Sequence, residues 1–258
     1  MKLELYVMDI RELERADLCA GALRLLDPVR KEKALRAANV KDRARSVGAG
    51  LLLLLGHAGL KGSAQIMLPD KSAGENEAKS VLTASMEEEA ETGLRQGKSA
   101  KEEKNSARNE SLQILSPALI IQTIEREGIK RGHPLADGIC YEISDQGRPS
   151  WKKEGQNPYF NLSHSGNYAV LVTGDAPVGV DVQEPRRVLH RAIGDYQSFC
   201  RLESYLKCTG RGIDRRIDAC YGELEKAEKA GGYFFKEIPM PDEYALWVCA
   251  GPGRAENS

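Results

Sequence analysis

Residues 61–113 contain no aromatic side chain, and Ser, Ala, Glu, Lys, Asn and Gly dominate them. Apolar content this sparse cannot offset the entropy of ordering a chain, so the stretch reads as a low-complexity, disordered charged insert. Any fold must therefore be assembled from the blocks on either side of it. The first block ends near residue 60 and the second begins near residue 114.

Each block carries alternating and helical patterns. Leu3-Leu5-Val7 alternates apolar and polar residues and predicts a short strand, followed by helices over about 11–26, 30–39 and 42–56. Gly48-Ala49-Gly50 precedes no phosphate loop and reads as close helix packing. In the second block a helix is expected after Ser116-Pro117, a strand around 139–143, and strands at Phe160–Ser163 and Tyr168–Thr173 flanking a Ser-His-Ser-Gly turn. Another strand at Gly179–Val182, helices at about 198–208 and 219–230, and a closing hairpin of 233–237 with 244–249 complete the pattern. Mixed helix and sheet in this order imply an α+β fold.

Composition narrows the function. With 37 basic and 38 acidic residues the net charge is -1, which leaves no field to attract a polyanion, so nucleic-acid binding is not expected. Cys19, Cys140, Cys200, Cys208, Cys220 and Cys249 are scattered, with no Cys-x-x-Cys pair, and read as reduced thiols of a cytoplasmic protein. Met1–Ile10 lacks the pattern of an export signal, and the apolar run Leu51–Leu55 is far short of the roughly 20 residues that span a bilayer, so no membrane role is expected.

Four constellations could carry chemistry. Asn161-Leu162-Ser163-His164-Ser165-Gly166 offers hydroxyls, an imidazole and backbone N–H groups that can hold phosphate oxygens, although such a segment is also an ordinary hydrogen-bonded loop. Asp181 lies inside the apolar run Pro177–Val182, where an unpaired carboxylate is costly. It must either meet a cation such as Mg2+, with Gln183 on the same face, or sit at an edge paired with Arg186 or Arg187. Glu203 and Lys207 are four apart on one helical face, a surface ion pair unless a metal and a phosphate lie beside them. Arg30, Lys31, Lys33, Arg36, Lys41, Arg43 and Arg45 gather cations on the facing ends of two consecutive helices, suited to a phosphate monoester.

Taken in order, Gly147-Arg148-Pro149, Phe160–Gly166, Gly179–Gln183 and Phe199–Gly210 resemble the motifs of the 4'-phosphopantetheinyl transferase superfamily, in its broad-specificity, monomeric, two-subdomain type. Gln183, Leu202 and Phe199 stand where that family carries a carboxylate, a lysine and a tryptophan, and only 22 residues separate Asp181 from Glu203.

The resemblance implies two similar subdomains related by a pseudo-two-fold, residues 1–60 with 114–176 and residues 177–258, interrupted by the insert 61–113. It implies Mg2+-dependent transfer of the 4'-phosphopantetheine group of coenzyme A to a serine of an acyl or peptidyl carrier protein. Asp181 and Glu203 would bind Mg2+, with Gln183 or a water at a further position. Glu203, Lys207 and His164 would serve catalysis. Arg30, Lys33, Arg45, Arg148, Ser163, His164 and Lys207 would contact coenzyme A. The alternative is a catalytically impaired homologue that only binds coenzyme A or a carrier protein.

Overall fold

The computed structural model describes residues 2–58, 64–67, 112–126, 141–143, 149–151, 159–185, 195–211 and 216–252. The elements are β1 (Lys2–Asp9), a 3-10 turn (Arg11–Glu14), α1 (Ala16–Leu23), α2 (Pro28–Leu35), α3 (Val40–Ala58), β2 (Ala64–Met67), α4 (Pro117–Arg126), β3 (Tyr141–Ile143) and β4 (Pro149–Trp151). After them come β5 (Tyr159–Ser165), β6 (Tyr168–Gly174), β7 (Val178–Gln183), α5 (Tyr196–Thr209), α6 (Ile217–Lys229), β8 (Phe234–Glu237) and β9 (Ala245–Ala250). The α+β expectation holds. The strands form two sheets, one of order β2-β1-β6-β5-β4-β3 and one of order β7-β9-β8, and every strand pair in them is antiparallel.

Alternation along β1 and β6 explains the layering. Tyr6 and Met8 of β1, with Ala169 and Leu171 of β6, face a core built with α3 and α4. Leu3, Leu5 and Val7, with Tyr168, Val170 and Val172, face the opposite way and meet Val178, Val180 and Val182 of β7 and Leu246, Val248 and Ala250 of β9. A third cluster lies beyond the smaller sheet, where Leu202, Leu206 and Cys208 of α5 meet Cys249 of β9 and Cys220 and Leu224 of α6. The order of layers is therefore helices, large sheet, small sheet, helices, with each sheet buried on both faces in its centre.

Local signals account for the helix ends. Asp27 caps α2, its side chain accepting from the N–H groups of Val29 and Arg30, and Pro28 occupies the first turn where no donor is needed. Asn39 and Asp42 cap α3, the Asp42 N–H donating to Asn39 Oδ1 at 2.8 Å. Close packing at Gly48 is also as expected, since a Cβ there would lie 2.7 Å from Ile10.

Three expectations are corrected. The helix expected over 11–26 is broken at Arg15, which is extended at φ -73°, ψ 130°. The preceding turn is committed elsewhere, because Arg11 pairs with Asp9 and Glu12 accepts from Ser116 Oγ. Ala64–Met67, expected within the insert, forms β2 on the edge of β1 in the register Lys2↔Met67 to Leu5↔Ala64. Finally, Ser163-His164-Ser165 is not a turn. Strand β5 runs on to Ser165, which pairs with Tyr168, and only Gly166 and Asn167 make the loop. Gly166 has φ +53°, the positive angle a two-residue hairpin needs at its first central position.

Candidate active site

β7 is an edge strand of the small sheet, and its last residues run beside β5 of the large one. Asp181 projects there and is 1% exposed, so its charge must be met inside the protein. Lys207 Nζ lies 2.5 Å from Asp181 Oδ1. Ser163 Oγ donates to the same oxygen at 2.7 Å, and Gln183 Nε2 donates to Asp181 Oδ2 at 2.9 Å. The edge position was one of the two sequence readings, but among the described residues the partner is Lys207 of α5.

Helix α5 supplies the rest. Positions 200, 203 and 207 share one face, and all three reach β7. The Cys200 thiol donates to the Asp181 carbonyl at 3.1 Å, Glu203 Oε2 stands 3.4 Å from Gln183 Nε2, and Lys207 Nζ is 4.0 Å from Glu203 Oε2. Burial, then the neighbouring Asp181 carboxylate, pushes the Cys200 thiol far up, so it is an inert packing group. What lets α5 sit this close is Gly179, where a Cβ would fall 2.0 Å from the Ser204 carbonyl oxygen and 2.4 Å from the Cys208 nitrogen. Asp195 caps the helix by accepting from the Ser198 N–H at 2.8 Å, and Gly210 ends it at φ 75°.

Glu203 is pushed up to about 7, first by burial and then by Asp181, against the opposing pull of Lys207. Two carboxylates sharing one ammonium thus carry more negative charge than the site neutralises. Among the described residues no group of three or more His, Cys, Asp and Glu side chains is placed to hold a metal ion. The oxygen ligands on offer are the two carboxylates, toward which Gln183 turns its amide N–H group, and such a pair suits a hard cation that keeps several waters or phosphate oxygens of its own.

His164 points to the other face of β5 and is exposed. Partial desolvation, then the charges of Arg45, Lys207 and Lys33, hold its pKa below the ordinary histidine range. These charges come from three helices, α2, α3 and α5. Arg45 is further fixed by donating from Nε to the Gly166 carbonyl at 3.2 Å and from Nη1 to Asp42 at 2.6 Å. Arg30 lies one turn before Lys33 on α2, and its backbone N–H is engaged by Asp27. Arg148, Arg186 and Arg187 lie outside the described residues.

Two members of the Asn161–Gly166 segment bond to backbone beside the site, and one residue is added that the sequence did not single out. Asn161 Oδ1 accepts from the Val180 N–H, and Ser165 Oγ accepts from the Glu184 N–H, both at 3.1 Å. Their period-2 spacing was visible in the sequence. Tyr244 Oη accepts from the Asn167 N–H at 3.1 Å and donates to Glu184 at 3.3 Å, a link from β9 to the hairpin that no local pattern signals.

No known family profile matches the chain. Among the described residues no helix is long and apolar enough to cross a membrane. The chain is similar to the 4'-phosphopantetheinyl transferase psf-1 of Bacillus pumilus, with 27% identity over 132 residues, 43% of this chain and 54% of that protein. The chain thus spans about half the length of this curated relative, and the likeness to a phosphopantetheinyl transferase is distant and partial.

Proposed function

We propose that this chain transfers the 4'-phosphopantetheine group of coenzyme A to a serine of an acyl or peptidyl carrier protein, with Mg2+ as cofactor. The observation that carries the reading is the meeting of two carboxylates, Asp181 and Glu203, within 4.0 Å of the Lys207 ammonium nitrogen. Coenzyme A lies between the part formed by residues 1–60 and 114–176 and the part formed by residues 177–258, which we read as two similar subdomains related by a pseudo-two-fold.

Asp181 and Glu203 would hold Mg2+, with Gln183 or a water beside them. The ion would neutralise charge on the pyrophosphate oxygens. Lys207 and His164 would contact the pyrophosphate, and Ser163 holds Asp181 and Lys207 in place. Lys33 and Arg45, with Arg30 and Arg148, receive the phosphates at the nucleotide end of coenzyme A. In the transfer the carrier serine oxygen forms a bond to the phosphorus bearing the pantetheine arm. The bond from that phosphorus to the bridging oxygen breaks, and 3',5'-ADP leaves with the electron pair. Glu203 takes the serine proton.

Incubation with apo carrier protein, coenzyme A and Mg2+ tests the proposal, the product being read by mass spectrometry. A phosphopantetheine mass shift that chelation abolishes is the expected result. Coenzyme A binding with no mass shift would favour a second reading, a homologue that binds without transferring. One observation favours that reading: Lys207 occupies Asp181 directly, where a metal would have to compete with it.

A further inference from the structure

Among the described residues, two amides of β7 and that of Glu184, which follows it, have no strand on their outer side. Val180, Val182 and Glu184 donate instead to side chains of β5: Val180 to Asn161 Oδ1 at 3.1 Å, Val182 to Ser163 Oγ at 3.3 Å, and Glu184 to Ser165 Oγ at 3.1 Å. The donors are spaced by two and so are the acceptors, so the pattern repeats the rhythm of a sheet ladder, with side-chain oxygens replacing carbonyls. Asn161, Ser163 and Ser165 are all buried, so each oxygen is withdrawn from water and committed to its partner.

We infer that Asn161, Ser163 and Ser165 act as a side-chain strand that stitches the large sheet to the edge of the small one, and that Asn161 and Ser165 are positioning residues for Asp181. The middle stitch is shared with the site. The Ser163 hydroxyl has one proton and two lone pairs; it gives the proton to Asp181 and accepts from Val182 and from Lys207. Its hydrogen-bonding capacity is therefore filled by the frame of the site. Asn161 and Ser165 touch neither Asp181 nor Glu203 through any hydrogen bond between described side chains, yet they pin β7 one register step before and after the central one. The role of these two residues in binding a cation rests on the proposed function; the seam itself does not.

Amide hydrogen exchange on the full chain, resolved by residue, tests the seam. Replacing Asn161→Ala should speed exchange at Val180 by about tenfold while Val182 and Glu184 stay protected. Ser165→Ala should do the same at Glu184 alone, and Ser165→Thr, which keeps the hydroxyl, should restore protection. Amides of Asp181 and Gln183, which alternate toward β9, serve as the internal standard. Loss of protection at all β7 amides together, or at none, would overturn the inference.

The positioning role is read separately by titration with Mn2+ as a paramagnetic substitute. The half-saturating concentration should rise several-fold in Asn161→Ala and Ser165→Ala and return in Ser165→Thr. Unchanged affinity in variants with a local exchange defect would overturn positioning. A wild-type chain that binds no Mn2+ would instead overturn the cation-binding role, with the exchange pattern still deciding the seam.

Discussion

Glu203→Gln is the most informative single change, because its effect on stability has a sign and size fixed by the site. In the folded protein the Glu203 carboxyl is pushed up to about 7, from an ordinary value of 4.5, by burial and by Asp181. Between those values the folded state holds the proton more tightly than the unfolded chain does. The stabilisation is thus fully present below about pH 4.5 and drains away as pH rises through 7. At about 1.4 kcal/mol for each unit, the ionised carboxylate costs about 3 kcal/mol above neutrality. A glutamine has the same shape and no charge to lose. Urea unfolding in the presence of a chelator should therefore show Glu203→Gln gaining on the wild type by about 3 kcal/mol between about pH 4 and about pH 8. His164, depressed in the folded state, pulls stability the other way near its own titration, but it does so in both proteins and cancels in the difference. A difference that stays flat with pH, or grows with the opposite sign, would refute the reasoning. The same substitution should abolish transfer.

Lys207→Met removes the ammonium beside a nearly fully buried carboxylate and should cost about 3 kcal/mol by chemical denaturation, with transfer lost. Gly179→Ala places a methyl group 2.0 Å from the Ser204 carbonyl, so α5 must move; we expect a loss of about 3 kcal/mol or failure to accumulate folded protein. Arg45→Gln should raise the His164 pKa toward the ordinary value of 6.5, seen in the imidazole resonances, because Arg45 is the leading charge that lowers it. Tyr244→Phe removes the link to Asn167 and Glu184 and should lower stability by about 1 kcal/mol, read as a fall in Tm.

The parts of this fold that the sequence announces are those whose cause is local. Asp27-Pro28 marks the start of α2, Gly210 the end of α5, and the alternation of Leu3, Leu5 and Val7 marks β1. The site was legible for the same reason: a carboxylate between valines and a Glu-Lys pair four apart each state a local demand. What the sequence hid depends on distant partners. The strand at Phe160–Ser163 was expected, but that Asn161, Ser163 and Ser165 turn their side-chain oxygens to the edge of β7, 19 residues later, no local pattern signals. β2 was equally hidden, since Ala64-Gln65-Ile66-Met67 is ordered by pairing with the first residues of the chain.

The departures at 181–203 also look different once the packing is known. The phosphopantetheinyl transferases that the motifs resemble carry a lysine where this chain has Leu202, which is fully buried in the cluster with Leu206 and Cys249, on the side of α5 that faces the sheet and α6. A cation there would lie in that core, so its replacement by leucine leaves the charge around Asp181 as Lys207 sets it. The 22-residue spacing is likewise absorbed. The position of α5 on β7 is fixed by the contact at Gly179 and by the Cys200 thiol on the Asp181 carbonyl, both lying within the two elements. Length between them governs only how the chain returns, and the two carboxylates still converge. The feature that does change the chemistry is Gln183. It donates toward both Asp181 and Glu203, so its amide joins two carboxylates that a third would repel, and it leaves their excess charge for a cation to meet.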